Sequence, residues 1–224
     1  MRLAVPLLFG LLGAAVLIGL GVWQLQRLQW KEGVIARIEA RIGAAPVALP
    51  PAPDPEADAY LPVRLDAAPA GEPLRVLGSW RGAGTGFRIV APMATPEGRR
   101  LMVDLGVLPL HAAGEGAAIP LPEGPVAIVG NLAWPDDAGP GTPEPEGDLW
   151  YGRDVDAMAD ALGTEPLMVV ARAVDPPAGP SPSPVGVEGI PNSHLGYAIQ
   201  WFGLAAVWLG MTGYLLWRIR RRSV

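Results

Sequence analysis

The sequence predicts a membrane protein of the α+β class, with two transmembrane helices flanking a small antiparallel β-rich extracytoplasmic domain that contains a short helix. Three observations predict it. Residues 3–23 carry no charge, residues 195–217 carry none either, and most of the 29 glycines and 26 prolines lie between them.

Each apolar run passes the length test for a membrane span. As a helix the first is about 32 Å long, against a hydrocarbon core of about 30 Å. In the second, Gln200, Thr212 and the tyrosine hydroxyls are the interruptions. A cleaved signal peptide has a shorter apolar region and a small-residue cleavage site. Here the run leads straight into Trp23-Gln24-Leu25-Gln26-Arg27, so an uncleaved anchor is expected. Arg218, Arg220, Arg221 and Arg222 follow the second run. Short cytoplasmic flanks carry the Lys/Arg excess, which puts the C-terminus inside. Two spans then bring Arg2 and the N-terminus to the same side and leave the middle outside. The expected organisation is a first span over 3–25, an extracytoplasmic domain over 26–193, a second span over 194–217 and an Arg-rich cytoplasmic tail over 218–224. In a bacterium this is a multi-pass protein of the inner (plasma) membrane with a periplasmic middle domain, in contact with membrane lipids.

Charge and cysteine usage exclude several functions. All 22 acidic residues fall within 32–193 together with 10 of the 17 basic ones, a net charge of −12 for that segment. Such a surface repels nucleic acid. With no cysteine there are no disulfides, thiolate metal sites or covalent c-type heme attachment.

Past the first span, Val34, Ile35, Ile38 and Ile42 keep a helical period until Gly43 and Pro46, so the helix is expected to continue out of the membrane. Pro46 to Pro62 reads as an extended linker with no helix or sheet. Strands are expected at Leu74–Trp80, Thr85–Ala91, Arg100–Leu108, Val126–Leu132 and Leu167–Val174, each bounded by Gly or Pro. Asp154 caps a short helix with Val155, Met158 and Leu162 on its sheet-facing side and Gly163 at its end. Pro135–Pro145 and Pro176–Pro184 read as loops.

The search for chemistry narrows to one residue. His111 and His194 are the two histidines, and neither has the carboxylate neighbours that a zinc site needs. Ser79, His111 and Asp104 supply the residue types of a hydrolase triad, but no nucleophile elbow surrounds the serine. Gly82, Gly84 and Gly86 precede a strand, whereas a phosphate loop follows one, so a hairpin turn is expected. His194 opens the second span with Tyr197 and Trp201 on the same helical stripe. Two readings stand open: an aromatic belt at the membrane surface, or an axial heme ligand with aromatic walls. Gly196, Gly203 and Gly210 lie on the opposite side of that helix, where close approach of the first span is expected. In that arrangement His194 points away from the contact, and Gln200 reaches Gln24.

Two segments carry a family resemblance. Gly21-Val22-Trp23-Gln24-Leu25-Gln26-Arg27-Leu28-Gln29-Trp30-Lys31 resembles the Gly-x-Trp-Gln-x-x-Arg-x-x-x-Lys signature of the surfeit-locus (Surf/Shy) family of cytochrome c oxidase assembly proteins. Asn192-Ser193-His194-Leu195-Gly196-Tyr197-Ala198-Ile199-Gln200-Trp201-Phe202 resembles that family's start of the second span. Between them, Tyr60-Leu61-Pro62-Val63 and Asp148-Leu149-Trp150-Tyr151-Gly152-Arg153-Asp154 are similar to the family in the same order. Residues 101–109 depart from it. Leu105 and Val107 stand where the family usually has Arg and Trp in Val-Asn-Arg-Gly-Trp-Val-Pro.

The resemblance implies a non-enzymatic assembly factor for a heme-copper terminal oxidase. It would bind heme a non-covalently and help insert it into subunit I of a cytochrome c or quinol oxidase, with heme a synthase as a further candidate partner. It implies His194 as the axial ligand of the heme iron, and Tyr197, Trp201, Trp23, Gln24 and Arg27 as the residues around the cofactor. A heme-free membrane scaffold that stabilises subunit I is the alternative.

Overall fold

The computed structural model describes residues 3–80, 84–112, 119–177, 179–187 and 191–221. Arg2, Gly82 and Arg222, used above, lie outside the described residues. Three helices, α1 (Ala4–Ile42), α2 (Val155–Leu162) and α3 (His194–Arg221), accompany eight strands. The strands are β1 (Val47–Ala48), β2 (Pro62–Pro69), β3 (Leu74–Trp80), β4 (Gly84–Ala94), β5 (Arg100–Pro109), β6 (Val126–Ala133), β7 (Leu149–Trp150) and β8 (Met168–Asp175). Two compact units result: residues 1–37 with 187–224, and residues 38–186.

In the second unit the strand order β2-β6-β8-β5-β4 closes on itself, because Ala68 and Pro69 of β2 also pair with Ala94 and Met93 of β4. A closed circuit has an inside and an outside, and alternation along each strand supplies both. Val63, Leu65 and Ala67 of β2 turn inward while Arg64 and Asp66 stay exposed. Ile89, Met93, Leu101, Val103, Leu105, Ile128 and Val169 complete the interior. β4, β5 and β8 are buried on both faces, since Val90, Met102, Met168 and Val170 pack outward against Val155, Met158 and Ala159 of α2.

α2 forms as the sequence predicts. The Asp154 carboxylate accepts from the Ala157 amide at 3.0 Å, and Gly163 ends the helix with φ 62°.

Three expectations need correction. The sheet is mixed, not purely antiparallel: β1–β2, β3–β7 and β5–β8 run parallel. The segment 46–62 contains sheet, because Val47 and Ala48 pair with Val63 and Arg64. β2 itself was not among the expected strands. Prolines at both its ends masked a five-residue alternation whose partner strand, β6, is 60 residues away in the chain and supplies the register.

β5 lies in the middle of the sheet order between β8 and β4, and Leu105 and Val107 are buried in it. The two positions where the family pattern has Arg and Trp are core positions in this chain. Asp104, also fully buried, pairs with Arg88 of β4, and Arg88 donates to the Ser183 hydroxyl at 3.0 Å. Burial pushes the Asp104 carboxyl above its usual range, against the opposing pull of Arg88. Beside this pair Ser181 bridges Val107 through two backbone hydrogen bonds of 2.8 and 3.0 Å. Gly106, at φ 116°, leaves the room for that approach, since a Cβ there would strike the Ser181 carbonyl.

The last turn of α1 is held in the same unit. The Ile42 carbonyl accepts from Asn131 Nδ2 and Arg172 Nη1, both at 3.1 Å, which satisfies an orphan acceptor of the helix end.

Candidate functional site

α1 and α3 are the two helices long and apolar enough to cross a membrane. In their own unit they pair side by side, running in opposite directions. Gly10 meets Thr212, Gly13 meets Trp208 and Gly21 meets Phe202. Near the other end Gln24 meets His194, and the Lys31 ammonium donates to the Pro191 carbonyl.

The seam follows a heptad on both helices. On α1 it runs 10-14-17-21-24-28-31 and on α3 194-198-201-205-208-212, steps of four and three that average 3.5. Gly10, Ala14, Gly21 and Gln24 are the buried residues of α1, and Ala198 and Ala205 those of α3. Small residues on one helix receive large ones from the other. The Trp208 indole donates to the Gly10 carbonyl at 2.9 Å, and the Thr212 hydroxyl to the Trp208 carbonyl at 2.8 Å.

This overturns the expected packing. Gly196, Gly203 and Gly210 have no atom within 4 Å of where a Cβ would stand, so the α3 glycine stripe does not touch α1. Gln200 is exposed and does not bond Gln24. His194 faces α1, and its Nδ1 lies 2.8 Å from Gln24 Oε1. The physical reason is fit: Trp208, Phe202 and Thr212 fill the notches that Gly13, Gly21 and Gly10 leave in α1.

Of the six residues singled out by sequence, Gln24, His194 and Trp201 are seam positions, and Trp23, Arg27 and Tyr197 are exposed beside it. Between the Gln24–His194 and Gly10–Thr212 ends of the seam, Phe9, Val16, Leu204, Trp208 and Met211 line an apolar groove of about 530 Å³. Seven residues outward along the heptad from Val16 comes Trp23, from Leu204 comes Tyr197, and from Trp208 comes Trp201. Arg27 is two heptads from Gly13, which also lines the groove. Trp23 and Tyr197 are about half exposed. Arg27 stacks on Trp30, 4.1 Å from the ring centre, and forms no ion pair among the described residues. His194 is partly exposed, while Gln24 is buried, 9% exposed. Asn192 has a buried Oδ1 without a hydrogen-bond partner among the described residues.

The hydrolase triad is not assembled. Asp104 is engaged with Arg88 in the core, the Ser79 hydroxyl bonds Thr85 at 2.9 Å across the β3–β4 hairpin, and His111 sits exposed in a 3-10 turn. No group of three or more potential metal ligands of the His, Cys, Asp and Glu types occurs among the described residues.

The SURF1 family matches residues 11–206, from within α1 to within α3. The chain belongs to the SURF1 family. Surfeit locus protein 1 of Rattus norvegicus is 31% identical over 230 aligned positions, covering 91% of this chain and 72% of that protein. Surfeit locus protein 1 of Homo sapiens is 31% identical over 219 positions, 88% of this chain and 71% of the relative. Surfeit locus protein 1 of Takifugu rubripes is 28% identical over 221 positions, which cover 88% of this chain and 91% of the relative. The SURF1 match therefore takes in the whole strand circuit and the helix seam from Ala14 to Lys31 and from His194 to Ala205, including the Gln24–His194 contact.

One feature of this SURF1 chain escaped sequence reasoning. The pairing of Gln24 with His194 joins the two signature segments, and its signal was the heptad that both segments continue.

Proposed function

We propose that this chain is an assembly factor for a heme-copper terminal oxidase that holds heme a through His194 and assists its insertion into subunit I. The SURF1 family is a family of cytochrome oxidase assembly factors, not a catalytic family. α1 and α3 cross the membrane in this reading. Arg218, Arg220 and Arg221 close α3 on the cytoplasmic side, and the strand unit lies outside. In a bacterium the membrane is the inner one and the strand unit is periplasmic.

The observation that carries the reading is the placement of His194: a partly exposed imidazole at the end of a helix pair, with one ring nitrogen engaged by Gln24. The donor set fits a heme. His194 supplies an imidazole for the iron, Tyr197, Trp201 and Trp23 supply apolar ring faces, and Arg27 supplies a cation for a propionate. When bound, the heme supplies a redox-active iron centre that becomes part of the client's chemistry. The protein's own residues would hold it at the helix ends, beside a client in the same membrane.

The test is spectroscopic. Chain purified from cells that make heme a is expected to carry a heme a absorption spectrum, and His194→Ala to lose it. A heme-free wild-type chain that still supports oxidase assembly would establish the scaffold function instead. An unchanged spectrum in the variant would assign the iron to another residue.

A further inference from the structure

Gln24 is a polar side chain in a helix seam made mainly of apolar side chains, alanine and glycine. It is only 9% exposed, and its Oε1 stands 2.8 Å from His194 Nδ1. An unpaired amide in such a seam is costly, and this one is turned to a single partner. An amide oxygen only accepts, so the hydrogen of the bond sits on Nδ1. A neutral imidazole carries one ring hydrogen. Nε2 is therefore left with its lone pair, and it makes no hydrogen bond within the protein among the described residues.

We propose that Gln24 is a positioning residue for His194: it holds the ring as the Nδ1–H tautomer and presents Nε2 as the only nitrogen able to bind iron. The tautomer stands on the hydrogen bond alone, and the iron part rests on the heme reading above. Ring nitrogens that bind metals usually have their other N–H bonded to a carboxylate, a backbone carbonyl or water, which raises the basicity of the ligand. A carboxylate does this strongly, a neutral amide weakly. With Gln24 as partner, the His194 imidazole is a moderate donor, suited to a heme that must later be released.

Two measurements test this. In heme-free chain with His111→Gln, labelled with nitrogen-15 at its one remaining histidine, Nδ1 is expected to show the protonated signal and Nε2 the bare one. Gln24→Leu should abolish that preference. Nε2–H as the dominant form in the otherwise unaltered chain, or a Gln24→Leu chain with the same signals, overturns the tautomer assignment.

In heme-loaded chain, Gln24→Leu is expected to weaken heme a binding by about 10- to 100-fold and to raise the iron's midpoint potential. Gln24→Glu, which keeps the shape and adds a charge, should lower the potential and slow heme transfer to apomyoglobin. Equal potentials and transfer rates in wild type and Gln24→Glu would overturn the iron part even where Gln24→Leu fails to fold. A wild-type chain that takes up no heme sinks the heme reading and the iron part with it, while the nitrogen signals still decide the tautomer.

Discussion

The seam makes opposite predictions for glycines that look alike in the sequence. Gly10→Ala would put a Cβ 2.9 Å from the Cβ of Thr212. Carbon atoms in contact need about 3.5–4.0 Å, so the helices must part by roughly 1 Å. Thr212 cannot rotate away, because the clash includes its own Cβ and its hydroxyl is bonded to the Trp208 carbonyl. Overpacking of this kind costs about 1–3 kcal/mol. Loss of the Trp208–Gly10 hydrogen bond adds about 0.6 kcal/mol in a membrane setting. Gly210→Ala meets nothing within 4 Å and shares the same gain in helix propensity, so comparing the two variants cancels that term. The expected difference is about 2–4 kcal/mol. The absence of native cysteine allows dye pairs at Leu11→Cys and Met211→Cys, both exposed, and energy transfer during an SDS titration in mixed micelles reports helix separation. Gly10→Ala should lower the midpoint, and Gly210→Ala should leave it in place. If Gly210→Ala loosens the pair and Gly10→Ala does not, the helices meet through the α3 glycine stripe and the seam described above is wrong.

Other variants test the strand unit. Asp104→Leu takes the carboxylate from buried Arg88 and is expected to cost about 3–5 kcal/mol in chemical denaturation of the full chain. The double variant Arg88→Met with Asp104→Leu should recover most of that loss, and a double variant as weak as the single one would refute the pairing. Arg75 holds the Asp148 carboxyl below its usual range through hydrogen bonds of 2.7 and 2.9 Å. A depressed folded-state value means the unfolded chain binds the proton more readily. The stabilisation is present above the unfolded value of about 3.9 and is lost as pH falls through the lower folded value. Asp148→Asn should therefore flatten the acid limb of the stability profile below about pH 4, and an unchanged limb would place the titration elsewhere. Gly106→Ala, at φ 116° and against the Ser181 carbonyl, should free the segment around Ser181. Limited proteolysis between residues 179 and 187 is expected to speed up, and unaltered cleavage would show that the bridge does not hold it.

Local chemistry made much of this fold legible. Asp154 and Gly163 bound α2 because a carboxylate cap and a left-handed glycine act over three or four residues. Five strands were readable for the same reason: β-branched runs closed by Gly or Pro. What escaped was set at a distance. β2 takes its register from β6, and the parallel pairing of β5 with β8 spans more than 60 residues of chain. The burial of Leu105 and Val107 follows from the central position of β5, which no pattern within residues 101–109 states.

His194 was legible as a residue but not as a contact. Its stripe with Tyr197 and Trp201 is visible at 3.6 residues per turn, and so is the glycine stripe opposite. A single-helix wheel treats both as faces and gives no reason to choose between them. The choice comes from asking which face of α3 fits the notches of α1. Gly10, Gly13 and Gly21 leave hollows, and α3 fills them with Thr212, Trp208 and Phe202. Once that side faces α1, the heptad brings His194 to the end of the seam where Gln24 is the polar group of α1 in register with it. The helix pair therefore specifies the His194–Gln24 contact through apolar packing up to about 27 Å away along the helix, and a bulky substitution at Gly10 should be felt at the imidazole.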